Sequence, residues 1–409
     1  MKKKILKFSL GIDVSMDKLD CNLSYINELQ EVKTKSGRTF NNTPAGIRNL
    51  IVWLKRQWKE DAPLVVVMEA TGVYHENIAY ILDNIQLNIA VVLPNKSKKY
   101  MESLGYKSKN DTIDARGLAR MGAERSLPLW QRPSKSIYML RSLCREHASL
   151  QDDMTEIRNQ IHALNHAYMK DDRCYKRLEA KLKFIQKQEK INKKDIEEVI
   201  KKDKYLLAKV ANIISIKGVG IISIATVIGE TNGFAQVEKQ GQLVSYAGYD
   251  VVEKQSGKRH GKTRISKKGN SHIRRVLHFP ALNVVRYGVE PFVSFHQRLI
   301  DNGKLKMQAY TAVQKKLLVL MWTLWKKNEK FNPKHINPYF KKDIETQESQ
   351  PSGGNTLKEN STSTEVNVLH KIDSSKPEPS FFENKVNELP IEVDEKEYIK
   401  EVHCDCESS

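Results

Sequence analysis

Asp13 stands inside the first apolar run of the chain, Phe8-Ser-Leu-Gly-Ile-Asp-Val-Ser15, and Glu69 ends another, Leu64-Val-Val-Val-Met-Glu69. A carboxylate within or at the end of a buried strand is costly unless something compensates for it. A pair of aspartates three residues apart follows in Lys109-Asn-Asp111-Thr-Ile-Asp114-Ala. That spacing puts both on one face of a helix. Asp111 taken alone reads equally well as a helix cap, but two strand acids together with a paired-Asp helix start are hard to explain as caps. Hard oxygen ligands of this kind are what Mg²⁺ or Mn²⁺ prefer. The joint pattern of Asp13, Glu69, Asp111 and Asp114 therefore predicts a metal site that orients a phosphodiester.

The surroundings of the acids predict an α/β domain. Short β-branched runs at 8–14, 19–25, 64–69 and 88–93 read as buried strands. Thr43-Pro44 has the N-cap and N1 signature of a helix reaching about Gln57, and further helices are expected at about 75–84, 95–104 and 112–123. From about 135 the texture changes to long, charged helix. Leu143, Leu150, Ile157 and Leu164 fall at seven-residue spacing, interleaved with His147, Met154, Ile161 and Tyr168. This is a heptad seam, expected to form a coiled coil or helical hairpin. A second helical stretch runs from Lys176 to about Val210, with a polar interruption expected at Asn192-Lys-Lys-Asp195. The expected organisation is an α/β domain over 1–130, a helical coiled-coil region over 131–210, a mainly α domain over 211–341 and an acidic disordered tail over 342–409.

Charge narrows the partners. The formal net charge is +19, yet the stretch from Lys342 to Ser409 holds 16 acids against 7 lysines, leaving about +28 on residues 1–341. Such an excess points to DNA or RNA, and away from a membrane, since neither an amphipathic anchor nor about 18 uninterrupted apolar residues is present. Five scattered cysteines fit free thiols in a reducing cytoplasm. Asp13 breaks the apolar run after the basic start, which argues against a signal peptide.

A second constellation is Gln255-Ser256-Gly257-Lys258-Arg259-His260-Gly-Lys262-Thr-Arg264-Ile-Ser266-Lys267-Lys268-Gly269-Asn270. Its glycines and cations suit close approach to a phosphate backbone, and the plain alternative is a solvated basic loop. Gly257 leaves the Ser256 hydroxyl open by position, although a serine is a poor nucleophile unless something activates it. The Lys217-Gly218-Val219-Gly220 turn resembles a helix-hairpin-helix, whose backbone N–H groups bind phosphate; it reads equally as a plain helix connection. Lys96, Lys98, Lys99, Lys107, Lys109, Arg116 and Arg120 surround the paired aspartates, where they either hold a nucleic-acid strand or offset local negative charge. His403-Cys404-Asp-Cys406 looks like half a zinc site without a second half.

These motifs together resemble the DEDD-type transposases of the IS110 insertion-sequence group, which includes the Piv-type DNA invertases. The resemblance runs from about 8 to 330. It rests on Gly11-Ile-Asp13-Val-Ser15, Met68-Glu69-Ala-Thr-Gly72, Asp111-Thr-Ile-Asp114-Ala-Arg116, and Ser245-Tyr-Ala-Gly248 running into Gln255-Ser256-Gly257 and Ile265-Ser-Lys267-Lys-Gly269-Asn270. It implies an RNase H-like (RuvC-like) N-terminal domain, a coiled-coil insertion and a C-terminal transposase domain. It also implies that the acidic tetrad is Asp13, Glu69, Asp111 and Asp114 with Mg²⁺ or Mn²⁺, and that the nucleophile is Ser256, with Ser266 as the fallback. The same resemblance implies a guide RNA from the element itself, DNA as element end and target, a homo-oligomer (dimer or tetramer) with composite active sites, and a bacterial cytoplasmic, nucleoid-associated location.

The expected function is thus a transposase that cuts and rejoins DNA through a phosphoserine bond. Nucleic-acid contacts are expected from Lys96, Lys98, Lys99, Lys109, Arg116, Lys217, Lys258, Arg259, Lys262, Arg264, Lys267 and Lys268. A structure-selective RuvC-like endonuclease and a non-catalytic nucleic-acid-binding protein remain as alternatives. An actin-like ATPase, which also carries Asp in a Gly-Ile-Asp-Val strand, is a lesser reading because no Walker-type glycine loop is present.

Overall fold

A computed structural model describes residues 3–58, 62–106, 108, 110–169, 171–253, 255–257, 259–261 and 263–334, with only the backbone at Ser256, Arg259 and His260. Lys107, Lys109, Lys258, Lys262, Cys404, Cys406 and the acidic stretch 342–409 lie outside the described residues. The chain divides into two compact units at Trp130/Gln131. No described helix is long and apolar enough to cross a membrane.

The first unit is built on a mixed sheet. Its strands are β1 (Ile5–Val14), β2 (Lys18–Asn27) and β3 (Val32–Asn41), then, after helix α1 (Pro44–Gln57), β4 (Leu64–Glu69). Helix α2 (Glu76–Asn84) leads to β5 (Asn88–Val92), and helices α3 (Pro94–Ser103) and α4 (Asp111–Glu124) complete the unit. The order across the sheet is β3-β2-β1-β4-β5. β1, β2 and β3 are antiparallel neighbours, whereas β4 runs parallel to both β1 and β5. This order and these senses fit the RNase H-like expectation.

Side-chain alternation explains why the central strands are apolar throughout. Leu64, Val66 and Met68 enter one core with α1 and α2, while Val65 and Val67 enter the opposite core with Tyr100, Leu118 and Met121. The Thr43 hydroxyl caps α1 by accepting from the Gly46 N–H at 3.2 Å, as the Thr-Pro signature predicts. β3 is an edge strand whose polar sequence, Val-Lys-Thr-Lys-Ser-Gly-Arg-Thr-Phe-Asn, buries only Phe40, and it has no apolar signal to find.

The second unit begins with two 31-residue helices, α5 (Lys135–Asn165) and α6 (Asp172–Lys202). They form a hairpin sealed by Met154, Ile157 and Ile185, with Leu150, Ile161, Leu178 and Leu182 packed alongside. Heptad positions up to Ile161 make this seam, and Tyr168 is fully exposed beyond it. The expected interruption at 192–195 does not occur. Asn192 is buried within α6 and donates to the Leu143 carbonyl at 3.1 Å and to Glu146 at 3.0 Å, so its polarity is used across the hairpin.

Helices α7 (Lys204–Ile214), α8 (Ile221–Glu230) and α9 (Gln240–Ala247) follow. A narrow ribbon comes next, β6 (Val251–Val252), β7 (Gln255–Ser256), β8 (Arg259–His260) and β9 (Arg264–Ile265), and then α10 (Ser271–Val276), α11 (His278–Arg286), α12 (Phe292–Asp301) and α13 (Lys306–Lys327). Leu140 and Cys144 of α5 and Ile196 and Ile200 of α6 share one core with α7, α8, α11 and α13.

One close approach decides the first unit. A Cβ on Gly11 of β1 would lie 2.1 Å from the Ala115 carbonyl oxygen and 2.3 Å from the Ala119 nitrogen, both backbone atoms of α4. Gly11→Ala should therefore push α4 off the sheet and destabilise the unit by about 3 kcal/mol, the upper range for overpacking. Chemical denaturation measures this, and an unchanged midpoint would contradict the packing described.

Candidate active site

The carboxylates meet because of how α4 crosses β1. Ala115 and Ala119 lie against Gly11, and Gly122 lies against Ser9, where an added Cβ would stand 2.3 Å from the Ser9 hydroxyl. The helix therefore runs opposite to β1, and its first turn, Asp111 to Asp114, reaches the C-terminal end of that strand, where Asp13 stands. β4 runs parallel to β1 with Ile12 opposite Met68, which brings Glu69 to the same edge. The C-terminal edge of parallel strands is where open α/β sheets bind ligands.

The helix cap is Asn110, whose side chain accepts from the Ile113 N–H at 2.8 Å. Asp111 is thus the first helical residue rather than the cap, and Asp114 is half-buried in the first turn. Both sit at the positive end of the helix dipole. Asp13 has no such support. Burial first, and then the neighbouring charges of Asp114, Asp111, Glu69 and Asp20, push its carboxyl up to about 6. Glu69 accepts a hydrogen bond from the Ser97 hydroxyl at 2.6 Å.

All four acids expected from the sequence thus sit close enough for the other three to act on Asp13. They are not a finished cage, since among the described residues no group of three or more His, Cys, Asp or Glu is already arranged to hold a metal ion. Two residues of this edge escaped the sequence reading. Asp20 lies directly across from Asp13 on β2, and Ser97 is buried among the exposed Lys96, Lys98 and Lys99 of α3. A single small polar residue within a run of lysines was the available signal for Ser97. Arg116 is exposed on α4, and Arg120 pairs with Glu124 at 2.6 Å.

In the second unit, Ser256 sits on β7 opposite Arg259, next to Gly257 in the left-handed region at φ +54°. Pairing of Val251 with Ile265 and Val252 with Arg264 continues the ribbon toward its base. That base is tightly tied. The Ser266 N–H donates to the Asp250 carbonyl at 2.7 Å, and the Ser266 hydroxyl donates to the Gly248 carbonyl at 3.3 Å. Gly269 packs so closely that a Cβ would stand 2.4 Å from both the Gly248 nitrogen and the Tyr246 carbonyl oxygen.

Beneath this knot lies Glu230, whose side chain is 2 % exposed. It accepts two bonds from Arg145, at 2.7 and 3.0 Å, and one from Asn270 at 2.6 Å. Burial raises the Glu230 carboxyl, and these donors more than offset it, holding it below the ordinary value. The Ser245–Gly248 and Ile265–Asn270 motifs thus anchor the ribbon, while Arg264, Lys267 and Lys268 remain exposed on it. Lys217 is exposed in the α7–α8 turn with its ammonium over the Tyr287 ring at 5.4 Å, and Gly218 of that turn has φ +97°.

The raised Asp13 carboxyl gives a signed prediction. Its ordinary value is 3.8, so ionisation opposes folding increasingly as pH rises from about 4 through 6 and costs nothing below that window. Asp13→Asn should raise the thermal midpoint of the first unit by about 2–4 °C at pH 7.5 and leave it unchanged near pH 4. Calorimetry at the two pH values checks this, and equal shifts at both would show that charge is not the cause.

Comparison with known proteins agrees on one lineage. The family model for DEDD-type transposases of the IS110 kind matches residues 10–169, and that described as "Transposase IS116/IS110/IS902 family" matches 210–297. Two pilin gene-inverting proteins, from Moraxella lacunata and Moraxella bovis, are each 27 % identical over 333 residues, covering 80 % of this chain and 98 % of theirs. Among solved structures, T. thermophilus RuvC in complex with a Holliday junction substrate aligns over 29 % of this chain and 93 % of its own at 13 % identity. The TM-score is 0.22, and nothing further is built on that likeness. The two family matches fall one in each half of the chain and together span more than half of it, and the chain belongs to the IS110 family of transposases.

Proposed function

We propose that this transposase recombines DNA through a phosphoserine bond, with Asp13, Glu69, Asp111 and Asp114 as ligands for Mg²⁺ or Mn²⁺ and Ser256 as the nucleophile. The observation that carries the reading is the convergence of these acids at one sheet edge, where burial and then their mutual repulsion raise Asp13. Mutually repelling carboxylates fit a hard divalent cation in ligand type and in charge. When bound, such an ion would supply stabilisation of charge on the attacking and leaving oxygens.

The chain's own groups divide the remaining work. The Ser256 hydroxyl gives up its proton as its oxygen attacks the scissile phosphorus, forming an O–P bond as the bond to the 3′ oxygen breaks; that oxygen takes up a proton in exchange and departs as a 3′-hydroxyl. Attack by a new 3′-hydroxyl reverses the step and frees the serine, which conserves the phosphodiester energy. Ser256 is preferred over Ser266 because the Ser266 oxygen is engaged by the Gly248 carbonyl and the Lys268 N–H at the ribbon base. Lys96, Lys98, Lys99, Lys109 and Arg116 are assigned to the nucleic-acid strand over the acids. Lys217, Lys258, Arg259, Lys262, Arg264, Lys267 and Lys268 serve phosphates of the bound strands. An element-encoded guide RNA and a dimeric or tetrameric assembly complete the proposal on family grounds.

The test incubates the full chain with an element end, Mg²⁺ and the cognate RNA, and resolves products on denaturing gels. Wild type should yield a DNA–protein adduct that Ser256→Ala abolishes. Asp13→Asn and Glu69→Gln should each reduce strand cleavage about 100-fold or more, as loss of transition-state charge stabilisation does. Cleavage that survives Ser256→Ala without an adduct would point to a metal-dependent endonuclease. Processing left intact by both acid variants would remove the metal site.

A further inference from the structure

One cavity in the second unit has no part in the chemistry above. It is an open groove of about 1,110 Å³ along the outer face of α13. Its floor follows one helical stripe, Ala312, Lys316, Val319, Thr323 and Lys327, which α13 leaves uncovered. Phe295 and Leu299 of α12 form one wall, Val251 and Ile265 of the ribbon add to it, and Phe331 closes one end. Among the lining residues seven are cationic, and Glu329 alone is acidic. Apolar Ala312, Val319, Phe295, Leu299 and Phe331 set among these cations select a ligand that is both apolar and acidic.

The chain supplies such a ligand. Described structure ends at Lys334, and Phe331, Asn332 and Pro333 already line the groove, so the next residues leave from its edge. Within the acidic stretch, 381–399 reads Phe-Phe-Glu-Asn-Lys-Val-Asn-Glu-Leu-Pro-Ile-Glu-Val-Asp-Glu-Lys-Glu-Tyr-Ile, aromatic and aliphatic residues interleaved with carboxylates. Roughly 45 residues separate Lys334 from Phe381, and a chain of that length can span about 35–40 Å, enough to bring this segment back. A nucleic acid fits the groove less well. Single strands are gripped by exposed aromatic platforms, whereas Phe292 is buried and the Phe295 ring already lies under the Lys316 ammonium at 3.8 Å.

We propose that the acidic segment 381–399 docks in the α13 groove of its own chain, its apolar residues on the Val319 floor and its carboxylates against Lys315, Lys316, Lys327 and Lys330. Because Arg264 and Lys267 of the ribbon also line this groove, the docked segment covers cations at the base of the element that carries Ser256. The tail thereby competes with polyanions for that face.

Carbodiimide coupling of the full-length chain, read by mass spectrometry, tests the docking without DNA, metal or turnover, so its failure leaves the recombinase reading untouched. Amide links from acids of 381–399 should reach Lys315, Lys316, Lys327 and Lys330 at least about five-fold more often than the exposed Lys187 and Lys194 of α6, reflecting the high effective concentration of a tethered ligand. Phe381→Ser with Phe382→Ser changes no residue of the described cores and should abolish that preference, and so should Val319→Glu. Links spread evenly over lysines, or unchanged by the tail variant, would overturn the docking. Links that join isotope-labelled to unlabelled chains would overturn docking within one chain. Protection of the groove lysines by a labelled single-stranded DNA, with no tail links in its absence, would reassign the groove to nucleic acid and end the proposal.

Discussion

The contact on which the candidate site depends is backbone against backbone, at Gly11. No side chain fits between β1 and α4 there, since even a methyl group would stand 2.1 Å from the Ala115 carbonyl. Because the helix rests directly on the strand, its direction and height are fixed, and so is the position of its first turn. Asp111 and Asp114 reach the edge held by Asp13 and Glu69 only through this contact. A core of larger residues would have kept the helix at ordinary side-chain distance, and the carboxylates would not act on Asp13. The small residues Ala115, Ala119 and Gly122 on the facing side of α4 serve the same end.

The same sequence signal leads to two different outcomes in this chain. Glu69 ends the apolar run of β4, and Glu230 ends the apolar helix α8. Each is a carboxylate that must be compensated. Glu230 receives Arg145 and Asn270, which lower its pKa despite burial and turn it into a structural tie for the ribbon base. Among the described residues Glu69 receives a serine hydroxyl, and acids stand near it. The difference lies in the donors, which come from positions 85 and 40 residues away in sequence for Glu230. A run of apolar residues ending in Glu therefore marks a constrained position, and only the fold tells which kind.

This explains what could be read from the residues and what could not. The strands β4 and β5 announce themselves because burial on both faces demands apolar runs, β1 and β2 through apolar residues at alternate positions, and Thr43-Pro44 marks the start of α1 through local capping chemistry. β3 is invisible because an edge strand with one apolar residue has no pattern of its own; its place comes from pairing with β2. Asn192 misleads because a buried polar residue looks like a surface break until its partners Leu143 and Glu146, on the other arm of the hairpin, are in view. The ribbon at 251–265 is missed for a related reason, since four two-residue strands are too short for any periodicity. Among the site residues, the four acids were legible from their strand and helix contexts, whereas Asp20 and Ser97 become neighbours only through cross-strand register and helix packing.

The two halves of the proposed site also differ in what holds them. Asp13 and Glu69 stand at the ends of strands, and Asp111 and Asp114 on a helix that rests directly on one of them, so their backbone positions belong to the cooperative part of the first unit. Ser256 stands on a two-residue strand paired with another two-residue strand, and isolated hairpins of this size are marginal in water. Everything firm about the ribbon is at its base, in the Gly248, Ser266 and Gly269 contacts over Glu230. On the proposed reading, the acids are pre-positioned and the nucleophile is not; gripping of phosphates by Arg259 and Arg264 would fix the ribbon tip and supply its missing order. Such a division couples attack to correct substrate binding, because the serine is held in place only when the strand it is to join is present.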